Sequence, residues 1–103
     1  MARLIWSPGA ADELAAILRF IGQDSVAYAN RFALRAMEAT ERLIAFPESG
    51  RIVPELDRPN IREILFGEYR IVYRLQAEEA TILLMSHGRR VLDIDSLREQ
   101  ETP

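Results

Sequence analysis

Arginines crowd the stretch from residue 51 to residue 90: Arg51, Arg58, Arg62, Arg70, Arg74, Arg89 and Arg90. The only histidine, His87, stands among them. A guanidinium fork holds a phosphate or a carboxylate through two parallel hydrogen bonds. Imidazole is the side chain that exchanges a proton most readily near neutral pH. Together they form the parts of an anion site with an optional acid or base. All 13 basic residues are arginine. These cations can stabilise anions but cannot act as general bases, and a Schiff-base or phosphate-loop lysine is excluded. A plainer reading competes: a solvated face whose arginines pair with Glu63, Glu68, Glu78 and Glu79. Charge counts alone favour it, since surface pairs are common and weak. For His87 the plainer reading is an imidazole hydrogen-bonded to backbone at a turn.

Other chemistries drop out. There is no cysteine, which removes disulfides, thiolate metal sites and a cysteine nucleophile. One histidine rules out a multi-histidine zinc site within the chain. Ser7 and Ser25 are explained as helix caps, and Ser86 lies in no nucleophile motif. Asp93 and Asp95 alternate with apolar residues along a tail edge. No metal and no cofactor is expected.

The elements that must position the arginines follow from the pattern. Arg3–Trp6 is a short apolar strand. Ser7-Pro8 opens a helix, with serine as N-cap and proline at the first helical position. Leu14, Ile17, Leu18 and Ile21 make one apolar stripe, and Gly22 is placed as the stop. Ser25 caps a second helix that runs to about Phe46. The two helices form an αα-hairpin closed by Pro47-Glu48-Ser49-Gly50. Beyond it the period changes to two. Arg51–Val53 is a short extended piece, and 56–60 is a loop. Ile61–Phe66 is a strand, and Gly67-Glu68 suits a two-residue hairpin turn. In Tyr69–Leu75, Tyr69, Ile71, Tyr73 and Leu75 point one way while Arg70, Val72 and Arg74 point the other. Arg70 and Arg74 lie about 13 Å apart along that strand. The tyrosines are placed on the helices with their hydroxyls at the rim. Thr81–Ser86 is apolar on both faces, as in a strand inside a sheet. If it pairs with Tyr69–Leu75, it brings Arg70, His87, Arg89 and Arg90 to one edge.

The resulting order is β-α-α-β-β-β, an α+β fold. A small, mostly antiparallel sheet carries the N-terminal αα-hairpin on one face, and the other face is the less apolar one. At 103 residues, 49% hydrophobic and 28% charged, residues 1–103 make a single domain; the tail from Val91 is expected either to form a short helix or strand or, from about residue 93, to stay mobile, with its last few residues frayed. No apolar run is long enough to span a bilayer or to serve as a signal-peptide core, so the expected location is cytoplasmic. The net charge of −3 suits a protein partner better than free nucleic acid.

The ordered set of motifs resembles a known family. Trp6-Ser7-Pro8 with Ala11 and Leu14 comes first, then Pro47-Glu48-Ser49-Gly50-Arg51 with Val53-Pro54-Glu55. Ile61-Arg62-Glu63, Tyr69-Arg70-Ile71-Val72-Tyr73-Arg74 and Ser86-His87-Gly88-Arg89-Arg90 follow. Over residues 3–92 the chain looks like the ParE branch of the RelE/ParE toxins of bacterial type II toxin–antitoxin systems. The resemblance implies the same fold, a cognate antitoxin in a hetero-oligomer, and inhibition of growth by binding and poisoning DNA gyrase. RelE-like relatives instead cleave messenger RNA on the ribosome, which needs a base, an acid and cations on the phosphate. Carried over to this chain, such a nuclease would use Arg70, His87 and Arg90. The strand expected to bear lysine reads Ile61-Arg62-Glu63, however, and no tyrosine follows His87. A His87–Glu63 pair would be the substitute. The depleted set favours the non-catalytic branch, with Arg62, Arg70, Arg74, His87, Arg89 and Arg90 as the binding edge for target or antitoxin. The ribosome-dependent endoribonuclease is the second reading. An inactive member that only binds its antitoxin and co-represses transcription is the third.

Overall fold

Ser7 sits at φ −62°, ψ 154° and accepts the Ala10 N–H, which starts helix α1 (Pro8–Gly22) with Pro8 in its first turn. The helix ends at Gly22, but not through a left-handed glycine: Gln23 continues in right-handed geometry, and Ser25 N–H returns to the Ile21 carbonyl. Ser25 is extended and accepts the Tyr28 N–H, opening α2 (Val26–Ala45). The hairpin therefore forms as the caps and stripes require. The computed structural model describes residues 1–101; the expected fraying of the last residues falls partly outside them.

The strands are β1 (Arg3–Trp6), β2 (Arg51–Ile52), β3 (Ile61–Phe66), β4 (Tyr69–Gln76) and β5 (Glu79–His87). They form one sheet in the order β1-β5-β4-β3-β2. β1 runs parallel to β5, and every other pair is antiparallel. Gly67 opens the β3–β4 turn at φ +57°, as the first position of a type II′ turn demands. Ala77 holds the same left-handed region in the β4–β5 turn at φ +54°, where an L-residue is strained. Between Val72↔Leu84 and Tyr73↔Ile82 the register slips, leaving Leu83 as the extra residue of a bulge.

β5 serves two cores, one on each face, and the bulge changes the parity, so that Ala80 and Ile82 before it face the same side as Met85 after it. On the hairpin side, Ile71, Tyr73, Ala80, Ile82 and Met85 pack with Ala10 of α1 and Leu43 of α2. On the opposite side, Ile61, Val72 and Leu83 pack with Val53, Leu56, Leu92 and Leu97. The expectation of a less apolar outer face is corrected here. A third helix, α3 (Ile94–Glu101), closes that face, and its Leu97 is completely buried against the outer core. The placement of the tyrosines is half right. Tyr69 packs on Phe32 of α2, but the Tyr73 hydroxyl is enclosed, donating to the Pro47 carbonyl at 2.7 Å and accepting from Gly50 N–H at 2.9 Å. Among the described residues, no helix is long and apolar enough to cross a membrane.

Candidate functional site

The β3–β4 register sets the chemistry of the outer face. A two-residue turn places Leu65 opposite Arg70 and Glu63 opposite Val72, so Glu63 and Arg70 become diagonal neighbours on one face. Arg70 Nε donates to Glu63 at 2.6 Å. Its two terminal nitrogens donate to Glu55 at 2.6 and 2.9 Å, a bidentate clamp. The other Glu63 oxygen accepts from Arg51 Nε. Side-chain exposure grades outward: 0% for Glu63, 10% for Arg70, 39% for Glu55 and 54% for Arg51. A buried carboxylate thus anchors two guanidinium groups, and a loop carboxylate seals one of them. The hydrogen bond from Arg70 holds the Glu55 carboxyl at about 2, well below its ordinary range. The clamp with Glu55 in turn raises Arg70 further above its ordinary value.

The remaining candidates are dispersed. Arg62 faces the hairpin side and ties loop to strand, donating to the carbonyls of Pro59, Gly50 and Glu48. Arg74 lies on the outer face and donates to the Gln100 carbonyl, capping the end of α3. Its Nε is buried and has no hydrogen-bond partner among the described residues. His87 pairs with Tyr69 in the sheet and so faces the hairpin side, opposite to Arg70. Its Nδ1 accepts the Arg89 N–H at 3.2 Å, its Nε2 lies 3.6 Å from Glu68, and its ring stands edge-on to Tyr69 at 5.6 Å. The backbone hydrogen bond at the turn is the one that the plainer reading describes.

Two expectations are corrected by these positions. The end of β5 does reach Arg70, through Ser86, but strand alternation sends Arg70 and His87 to opposite faces. The single edge of Arg70, His87, Arg89 and Arg90 is therefore split. The substitute acid–base pair is absent as well: Glu63 is buried on the outer face between Arg51 and Arg70. What gathers near His87 is a cleft of about 310 Å³ between α1 and the end of β5, lined by the apolar Ile17, Phe20 and Met85, by Tyr69 and His87, and by the charged Glu13 and Arg90. Burial pushes the Glu13 carboxyl up, opposed by the Met85 N–H it accepts and by Arg90. Arg89 and Arg90 are exposed.

Arg51 enters the sequence reading only as one of the clustered arginines, and Glu55 does not enter it as a site residue; the hairpin register places Glu63 beside Arg70. Glu55 had no such signal, because its loop reaches the sheet only through tertiary packing of Val53 and Leu56.

Known proteins share this architecture. A solved structure described as the chromosomal ParDE TA system from P. aeruginosa superposes with a TM-score of 0.69 at 22% identity, over 84% of this chain and 96% of that one; the likeness bears on the fold. Toxin RelE2 of Caulobacter vibrioides is 42% identical over 92 residues, which is 88% of this chain and 100% of that protein. The family model described as ParE toxin of type II toxin-antitoxin system, parDE, matches residues 4–92, from β1 to the residue that anchors the tail on the outer core. With that span and that identity, the chain belongs to the ParE toxin family of type II toxin–antitoxin systems.

Proposed function

We propose that this chain arrests growth by binding a protein target, DNA gyrase, and that a cognate antitoxin neutralises it by binding the same molecule. The observation that carries this reading is the split of Arg70 and His87 onto opposite faces of the sheet. A phosphate-cleaving site needs a free cation beside a general base. Here Arg70 and Glu63 pair with each other on the outer face, across the sheet from His87. What the surface offers instead is exposed Arg89 and Arg90 beside exposed Phe20, a mix of cation and apolar area that suits a protein partner. A hetero-oligomer with the antitoxin and a cytoplasmic location accompany this reading.

Two observations favour the nuclease reading: His87 and Arg90 share a cleft, and the relative from Caulobacter vibrioides carries the RelE name. Induction of the chain without an antitoxin separates the readings. Relaxed plasmid and trapped gyrase–DNA cleavage with intact messages support gyrase poisoning. Messages cut at codon positions, with cutting abolished by His87→Ala, support the nuclease. Normal growth with neither effect supports the co-repressor reading.

A further inference from the structure

We propose that Arg70 and Arg51 form a binding site for a two-oxygen anion, that Glu55 plugs this site in the resting chain, and that an acidic side chain of a bound protein segment takes the place of Glu55. Glu63 is the fixed floor. It lies fully buried and binds both guanidinium groups, so neither cation depends on Glu55 for its position. Held through Nε, Arg70 presents its two terminal nitrogens outward, and Glu55 meets them with both oxygens. That edge matches any planar pair of oxygens on one centre, whether carboxylate or phosphate.

Glu55 is the exchangeable member. It is the more exposed of the two carboxylates in the network, and it rides a segment between β2 and β3 that belongs to no strand or helix. Without it, two cations would face one buried carboxylate, and a nearly buried guanidinium edge would lack an acceptor. Such a state favours refilling by another anion. The resident anion is a carboxylate held through both oxygens, which an aspartate or glutamate of a protein segment reproduces atom for atom, and this favours an acidic protein segment over a nucleic acid. The choice of partner rests on the reading that the chain works by binding proteins; the anion site does not.

The test uses the full chain, labelled with ¹⁵N, as wild type, Glu55→Ala and Glu55→Gln. The Nε–H resonances of Arg70 and Arg51 are followed during titration with inorganic phosphate, a hexaglutamate peptide and a six-nucleotide RNA. Without the plug, both variants are expected to bind phosphate and hexaglutamate at least about tenfold more tightly than wild type, because the competing state is gone. Hexaglutamate is expected to bind more tightly than the RNA. Unmoved arginine resonances in folded variants would overturn the site. Tighter binding of the RNA would overturn the protein partner. Collapse of both variants would also overturn the proposal, since an exchangeable plug cannot be indispensable to the fold. Failure of gyrase inhibition by wild type would defeat the functional reading and leave the anion titration standing.

Discussion

Replacing Glu63 by glutamine tests whether the outer face is built on a buried anion. The change keeps the shape and removes the charge. In the wild type each carboxylate oxygen faces one guanidinium group. Glutamine can offer its carbonyl to only one of them and must point an NH₂ at the other. Removing one partner from a buried pair costs about 3–5 kcal/mol. Arg51 is 54% exposed and can turn to water, and Arg70 keeps Glu55, so the lower end, about 3 kcal/mol, is expected. With a urea m-value of about 1 kcal/mol/M, the unfolding midpoint falls by roughly 2–3 M. Glu55→Gln removes a pair whose carboxylate is 39% exposed, and solvent screening limits its loss to about 1 kcal/mol or less. Urea unfolding of both variants, followed by circular dichroism, gives the ratio. Equal losses, or a Glu63→Gln loss within about 0.5 kcal/mol of zero, would refute the anchoring role.

The depressed Glu55 carboxyl sets a pH dependence. Its folded value of about 2 lies below the ordinary 4.5, so its stabilisation is complete above pH 4.5 and disappears as pH falls towards 2. Thermal melts across that window should converge for wild type and Glu55→Gln at the acid end; a constant gap would count against the clamp. At Gly50 an added Cβ would meet the Tyr73 hydroxyl at 2.5 Å and the Glu63 carbonyl at 2.7 Å. Gly50→Ala is expected to cost about 2–4 kcal/mol through overpacking and lost hydrogen bonds, and Tyr73→Phe about 1–2 kcal/mol, both read by denaturant unfolding. Ala77→Gly relieves a left-handed L-residue in the β4–β5 turn and should raise stability by about 0.5–1 kcal/mol, seen as a higher melting temperature.

Much of this architecture is legible in local pattern. Ser7-Pro8 and Ser25 cap their helices because serine side chains satisfy the first free N–H groups. Gly67 fixes the β3–β4 register, and the register in turn fixes the neighbourhood of Glu63 and Arg70. The second core is less legible. Its outer layer is assembled from Val53, Leu56, Leu92 and Leu97, which are scattered over two irregular segments and a short helix without a strong apolar stripe. Alternation marked Arg70 and Arg74 as polar face residues, but it carries no information on what covers them. The gathering of Arg70 with His87 failed for a simple reason. Proximity along paired strands was right, while the pleat placed adjacent register positions on opposite sides.

The most direct test of the proposed role uses purified gyrase and relaxed plasmid, with the full chain added at increasing concentration. The expected result is dose-dependent loss of supercoiling with accumulation of cleaved DNA, reversed by the cognate antitoxin and weakened by Arg89→Ala with Arg90→Ala. Unimpaired supercoiling at saturating chain, together with cleavage of ribosome-bound messages by the same preparation, would contradict the account.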